Sequence, residues 1–357
     1  MPKSSLDKLR RQIDSIDDKI LTLLNSRGRL AKDIGRVKAE RGENIFAADR
    51  EAEILGRLKD QNTGPLAAES VDDIFQVIFA TCRSLQKRVD VAFFGPEATY
   101  THQASIKHFG RNAQFTPVPT IKDVFVEVEL RRADYGVVPI ENSTEGVINH
   151  TLDMFVESEL RIVAELEQPI SHCLLSVSGK LASVKKVYSH YSALAQCRKW
   201  LDSHLPGVTL HEASSTSDAA VHATLDASSA AIASQLAGQI YHLKPAALRI
   251  EDSPDNATRF LVIGHQVPKP CGRDKTSVMF SVKDRVGALY DVLQPFRVAN
   301  LSLTKIESRP TKRRAWEYVF FVDFLGHQSD KKVKKALADL AKRCNQLKVL
   351  GSYPYGG

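Results

Sequence analysis

Along the first forty residues, apolar side chains recur at steps of three and four: Ile13, Ile16, Ile20, Leu23, then Leu30, Ile34 and Val37. That spacing lays them on one face of a helix. Ser5 is placed to cap it and Arg41-Gly42 to stop it, so the helix is roughly 50 Å long at about 1.5 Å per residue. A helix of that length in so small a helical segment cannot bury its seam within one chain, whereas an intertwined dimer would. The seam position after Leu23 is residue 27, an arginine. A second helix is predicted over about 47–61, ended by Asn62-Thr63-Gly64-Pro65, and a third over about 66–88.

The texture changes at Val89. Short β-type runs such as VDVAFFG, YGVVPIE and TRFLVIG alternate with helical stretches, among them Ile121 to Arg132, one from about Gly146, and Leu194 to His204. Such alternation predicts an α/β region with a parallel or mixed sheet, long enough for two lobes with a cleft. PKPCGRD (Pro268 to Asp274) is a linker. After it, KTSVMFSV, a helix from Gly287 to Ala299, LSLTKIESRP, AWEYVFFVDF, a helix from Ser329 to Cys344 and LKVLGSYP make one β-α-β-β-α-β unit of ferredoxin-like order. The expected division is 1–89 all-α, 90–267 α/β and bilobal, and 275–357 α+β.

The chain has 357 residues, net charge +7 and five scattered cysteines without a CxxC pair. The cysteines argue against a disulfide framework and a zinc site, so no metal is assigned. No apolar run approaches a membrane span. The first residues lack the core of a signal peptide, and a cytoplasmic protein is expected. The positive charge is dispersed, and KKVKKALADLAKR (331–343) reads as a solvated helix face, which disfavours nucleic acid as a partner.

Arg27 has company. Arg10 and Lys38 each lie one residue after a seam position, Arg50 and Glu51 open the second helix, and Gln86 sits near the end of the third. Each alone reads as a solvated side chain with its stem on apolar surface. An arginine on the seam itself would be costly to bury without a partner, and its planar fork suits a carboxylate ligand. As a set, Arg10, Arg27, Lys38, Arg50-Glu51 and Gln86 resemble the helical chorismate mutase domain at the N-terminus of bifunctional chorismate mutase–prephenate dehydratases. That resemblance implies a pericyclic rearrangement needing no nucleophile and no cofactor. It implies that Arg10, from the partner chain, and Arg27 hold substrate carboxylates. Lys38 and Gln86 would donate to the breaking ether oxygen, and Glu51 would accept from the ring hydroxyl. Ala47 and Cys82 stand where the family commonly has an aspartate and a serine, so Cys82 also belongs to the expected pocket.

Five polar clusters punctuate the strand ends of the central region: GPEATYTH (95–102), VPIENSTEG (138–146), YSHYSALAQC (188–197), SSTSDAA (214–220) and SPDNATRF (253–260). Strand ends opening on polar loops are where α/β folds bind ligands. In order and spacing the clusters resemble prephenate dehydratase, whose core is two α/β lobes like a periplasmic binding protein. By that resemblance Thr258 is catalytic, polarising the leaving hydroxyl as a hydrogen-bond donor. Thr99, Asn142, Ser143, Ser189, His190 and Gln196 line the cleft with Ser215, Thr216, Asn256 and Phe260. Arg259 is either a carboxylate partner or a structural brace.

The elements GALYDVL (Gly287, Ala288, Leu289 onward) and ESRP (Glu307, Ser308, Arg309, Pro310) resemble those of the ACT regulatory domain of the same enzymes. There they form a phenylalanine site at a dimer interface. The three resemblances together imply a feedback-inhibited enzyme of phenylalanine biosynthesis acting on chorismate and prephenate, as a homodimer or higher homo-oligomer. Two rivals are an arogenate-preferring dehydratase and an amino-acid-sensing binding protein without catalysis.

Overall fold

The computed structural model describes residues 3–41, 46–86, 88–282, 285–310 and 318–355. Gly42, named above as the helix stop, and part of the AWEYVFFVDF run lie outside the described residues.

The N-terminal segment is three helices: α1 (Lys3–Glu40), α2 (Ala48–Gln61) and α3 (Ala68–Ser84). Helix α1 begins before Ser5, which therefore lies inside it and is not its cap. Helix α3 stops at Ser84, short of the expected 88.

The central region begins with β1 (Asp90–Phe94), α4 (Tyr100–Phe109), β2 (Gln114–Val118), α5 (Ile121–Glu129), β3 (Tyr135–Asn142), β4 (Gly146–Val147), α6 (Asn149–Glu157) and β5 (Arg161–Pro169). The chain then crosses to a second lobe: β6 (Cys173–Ser176), β7 (Lys186–Ser189), α7 (Tyr191–Gln196), α8 (Arg198–His204), β8 (Thr209–Glu212), α9 (Thr216–Leu225), β9 (Ser229–Ala233), α10 (Gln235–Ile240) and β10 (Lys244–Leu248). It returns to the first lobe as β11 (Ala257–Gly264). The first sheet runs β2-β1-β3-β11-β5 with β4 beside β3, and the second runs β10-β6-β9-β7-β8. Both mix parallel and antiparallel pairs.

Two helices depart from the sequence pattern. The stretch after Gly146 first forms β4, because the Asn142 side chain accepts the Thr144 and Glu145 amides and turns the chain back on β3. The helix expected over 194–204 is two helices. Asp252 divides them: its amide donates to the Gln196 carbonyl, and its carboxylate accepts the Lys199 and Trp200 amides that open α8.

The C-terminal unit is β12 (Asp274–Ser281), α11 (Ala288–Val298), β13 (Leu303–Pro310), β14 (Tyr318–Leu325), α12 (Lys331–Ala341) and β15 (Gln346–Pro354), with sheet order β13-β14-β12-β15. One hydrophobic core runs through it into the first lobe: Phe155, Leu160 and Ile162 pack with Met279, Phe321, Leu350 and Tyr353. The helical segment is anchored by Phe46, which is buried among Val91, Phe109 and Tyr135 of the first lobe.

Candidate active sites

The seam of α1 is not the face it turns to its own chain. Ile13, Ile16, Ile20, Leu23, Leu30, Ile34 and Val37 are 45–68% exposed. What is buried is a neighbouring stripe of small residues, Gly28, Ala31 and Gly35. Gly35 shows why it must be small: a Cβ there would sit 2.7 Å from the Gln86 Cβ. Arg27 and Lys38 lie at the border between stripe and seam, and both are half-buried. The Arg27 guanidinium rests 5.2 Å from the centre of the Phe79 ring, a cation–π distance.

This close approach gathers Arg27 and Lys38 of α1, Glu51 of α2, and the end of α3 with Gln86, whose Oε1 is buried without a hydrogen-bond partner among the described residues. Burial pushes the Glu51 carboxyl up from its ordinary value, opposed by the charges of Arg83, Arg27 and Lys38. Cys82 is buried in α3. Two expected members are elsewhere. Arg50 turns to Glu53 at 2.6 Å in solvent. Arg10, exposed and 3.8 Å from Asp7, lies about 25 Å along the helix from Arg27 at 1.5 Å per residue.

The second site is the cleft between the lobes, a cavity of about 720 Å³. Thr99, Asn142, His190, Gln196, Ser215, Thr216, Thr258 and Phe260 line it. A hydrogen-bond chain runs across its floor where the strands cross between lobes. Asn142 Nδ2 donates to Thr258 Oγ1 (2.8 Å) and to Asn256 Oδ1 (3.1 Å). Asn256 Nδ2 donates to Gln196 Oε1 (2.8 Å), which His172 Nε2 also meets (2.9 Å). His172 Nδ1 meets the Tyr100 hydroxyl (2.9 Å). Burial lowers the His172 pKa, and the ring is neutral at neutral pH. With Gln196 accepting, Nε2 carries the ring proton and Nδ1 is the acceptor. Thr258 Oγ1 is thus an acceptor for Asn142, and no acceptor for its own proton lies among the described residues.

None of the described residues lining this cleft is a lysine or arginine. Glu145 is on its wall, and what the cleft offers an anion is backbone. The ten-residue helices α4 and α9 both begin there, with caps Thr99 and Ser215 on the cleft wall. Helix N-termini carry partial positive charge and open amides.

Three sequence-based models match in succession: Chorismate mutase type II over residues 9–87, Prephenate dehydratase over 91–268 and ACT domain over 276–342. The chain is 50% identical to the bifunctional chorismate mutase/prephenate dehydratase of Aquifex aeolicus over 353 residues, 98% of each chain. The chain belongs to this family of bifunctional enzymes. It is 33% identical to the counterpart in Escherichia coli strain K12, over 97% of this chain and 95% of that one. The solved prephenate dehydratase of Arthrobacter aurescens, in complex with L-Phe, superposes with a TM-score of 0.69 at 35% identity, covering 74% of this chain and 89% of that one. The chain is a chorismate mutase and a prephenate dehydratase with an ACT regulatory domain.

Four of the residues expected at the dehydratase cleft, Ser143, Ser189, Asn256 and Arg259, do not line it. Ser189 is fully buried in β7 and donates to the Ile232 carbonyl of β9, a sheet contact. Arg259 follows Thr258 in β11 and so faces the opposite side of the sheet. There it meets Glu141 (3.4 Å), Glu165 (3.6 Å) and Asp323 of the ACT module (3.5 Å). Of the two roles left open for it, this geometry is that of a brace. Ser143, exposed, accepts the Ala257 amide, and Asn256 is buried beneath the cleft floor.

In the ACT module, Gly287 has a left-handed backbone (φ 79°) and caps α11, with Ala288 buried and Leu289 exposed. Glu307 and Arg309 are half-buried on β13, alternating with exposed Ser308 and Pro310. Strand β13 is an edge among the described residues. It is tied to the dehydratase by Lys305 on Glu141 (2.9 Å) and Arg309 on Asp153 (2.8 Å).

Sequence reasoning missed Tyr100, His172 and Arg83. His172 sits in the SHC turn between two strands, and only its position at the lobe crossing distinguishes it.

Proposed function

We propose that the helical module rearranges chorismate to prephenate, that the cleft converts prephenate to phenylpyruvate, and that phenylalanine bound to the ACT module inhibits the second step. The first reaction needs the substrate held in its diaxial conformer and negative charge met on the breaking ether oxygen. Arg27 holds a carboxylate, Lys38 and Gln86 serve the ether oxygen, and Glu51 accepts from the ring hydroxyl. The exposed seam and the remoteness of Arg10 support a homodimer in which the partner's first arginine completes the pocket.

In the cleft, prephenate loses its ring hydroxyl and a carboxylate as carbon dioxide, and aromatisation drives the step. The observation that carries this reading is the Thr258 hydroxyl, fixed by Asn142 and with its proton available to the cleft. A threonine is a poor acid, so its role is to donate a hydrogen bond to the leaving hydroxyl while the helix N-termini orient the carboxylates. The decisive experiment offers purified protein chorismate, prephenate and arogenate separately and follows phenylpyruvate and phenylalanine formation. Faster turnover of arogenate overturns the substrate assignment, and turnover of none of the three leaves the binding-protein reading.

For the regulatory step, Gly287 brings the backbone close to an effector, Glu307 serves the ammonium group, and β13, an edge among the described residues, suits a second ACT module. Deleting the ACT module is a poor test, since its apolar residues complete a core shared with the first lobe. Glu307→Ala is the better one. Dehydratase activity stays within about twofold, under 1 kcal/mol, while phenylalanine inhibition is lost. Undiminished inhibition, with unchanged phenylalanine binding by calorimetry, removes Glu307 from the site.

A further inference from the structure

Arg83 is a charged residue that neither proposed mechanism uses, yet it is only 3% exposed. Its Nη1 donates to both carboxylate oxygens of Glu51. Its Nη2 donates to the backbone carbonyl of His108, at the C-terminal end of α4 in the dehydratase module. The guanidinium centre lies 5.1 Å from the ring centre of Phe46. Phe46 is itself held by the dehydratase, with its ring 5.0 Å from that of His108. A side chain of the mutase module is thus enclosed by both modules, and each takes one end of its fork.

We propose that Arg83 is a positioning residue of the mutase site: it fixes the Glu51 carboxylate in place, and docking of the dehydratase module fixes Arg83. This rests on the proposed role of Glu51 as acceptor of the substrate's ring hydroxyl. The physical argument starts from the charges around that carboxylate. Arg27 and Lys38 of α1 face Glu51 and, in the proposed reaction, serve an anionic substrate. A buried carboxylate without its own cation would turn to those two and compete with the substrate for them, or it would take up a proton. Arg83 opposes both outcomes by pairing with Glu51 from the side of α3. The guanidinium holds this position because its Nη2 is taken by a helix end, whereas its Nε has no hydrogen-bond partner among the described residues. The last carbonyls of a helix lack intrahelical partners and carry partial negative charge, and Arg83 caps one of them on α4. Lysine could supply charge to Glu51 but not the planar fork that spans carboxylate and carbonyl.

The contact also has direction. The residue that starts α4, Tyr100, lines the dehydratase cleft and meets His172, whereas His108 at the other end meets Arg83. One ten-residue helix therefore touches the machinery of both reactions.

The test is a double-mutant cycle on the full-length enzyme with Arg83→Met, Glu51→Gln and the pair, following mutase kcat/KM against pH. The charged and titratable groups bearing on Glu51 are Arg27 and Lys38 from α1 and Arg83 from α3. From the dehydratase side, Tyr135 feels the charges of Glu51 and Arg83, and His108 that of Arg83. Arg83→Met is expected to lower mutase kcat/KM by about 10- to 100-fold, the loss of one charged, desolvated partner. The acid limb of the profile moves to higher pH, since Glu51 then protonates more readily. Dehydratase kcat/KM with added prephenate stays within about threefold. The double variant is no worse than Glu51→Gln alone, and Arg83→Lys recovers part of the loss. Additive losses in the cycle, or an acid limb that does not move, overturn the proposal. Should Arg83→Met fail to fold, Arg83→Lys and the double variant, which leaves no unpaired buried charge, still give the comparison. Wild-type protein that turns over no chorismate refutes the mutase reading itself, a separate outcome.

Discussion

The two catalytic regions meet anionic substrates by opposite means. The mutase pocket collects full charges, Arg27 and Lys38, on the flank of one helix and balances Glu51 with Arg83. The dehydratase cleft has no lysine or arginine among its described lining residues and works with hydroxyls, amides and helix N-termini. The difference follows from the chemistry proposed for each. A rearrangement that makes and breaks bonds within one dianion needs its ends clamped and the charge on its ether oxygen met. An elimination that expels both a hydroxyl and carbon dioxide needs the carboxylate oriented without being held so tightly that its loss is opposed. The two regions also differ in extent: the cleft is lined within one chain, whereas Arg10 lies about 25 Å along α1 from Arg27.

Arg27→Ala strikes the charged site hardest. Mutase activity falls by about 100-fold or more, from losing a desolvated ionic contact worth a few kcal/mol, while dehydratase activity persists. Near-normal chorismate turnover by the folded variant would erase the contrast. Thr258→Ala is the mirror image, with phenylpyruvate formation reduced by about 100-fold and the mutase unaffected, so that prephenate accumulates from chorismate. A rate within about threefold of wild type, under 1 kcal/mol, would mean that Thr258 is not the key donor.

The smallest effect concerns the seam between the two regions. Burial, reinforced by the Arg83 charge, lowers the His108 pKa to about 3. The unfolded chain protonates this histidine near pH 6.5, and the native one does not until far lower. Stability is therefore complete above about pH 6.5 and declines as pH falls, by up to about 2 kcal/mol at pH 5. Thermal melts between pH 5 and 8 should show the decline, flattened in His108→Asn. An unchanged slope in that variant would place the acid sensitivity elsewhere.

The order of the modules and most cleft residues were legible in the chain because polar clusters interrupt strands at their ends. The cations of α1 were legible as interruptions of an apolar seam. The seam nonetheless misled about contacts within one chain. The face that packs on α3 is the stripe Gly28, Ala31 and Gly35, whose value lies in lacking side chains and which no hydrophobic pattern marks. Arg83 looked like any basic residue near a helix end, since its burial depends on a module that follows it in sequence. Ser189 and Arg259 were misplaced or left open for one shared reason. A local motif tells which residues lie at a strand end, and the pleat then decides which of them face the ligand.

That pleat in β11 bears on how such a chain can change over generations. Thr258 looks into the cleft, and Arg259 looks at Glu141, Glu165 and Asp323 behind it. Substitutions at either position act on one face at a time. An insertion or deletion of a single residue before them would exchange the faces, thrusting a guanidinium into the cleft and a hydroxyl into a nest of carboxylates. Length variation is therefore expected to be purged from the stretch Asn256 to Arg259 and tolerated in the exposed loops of the second lobe, and a library of single-codon insertions would display that boundary.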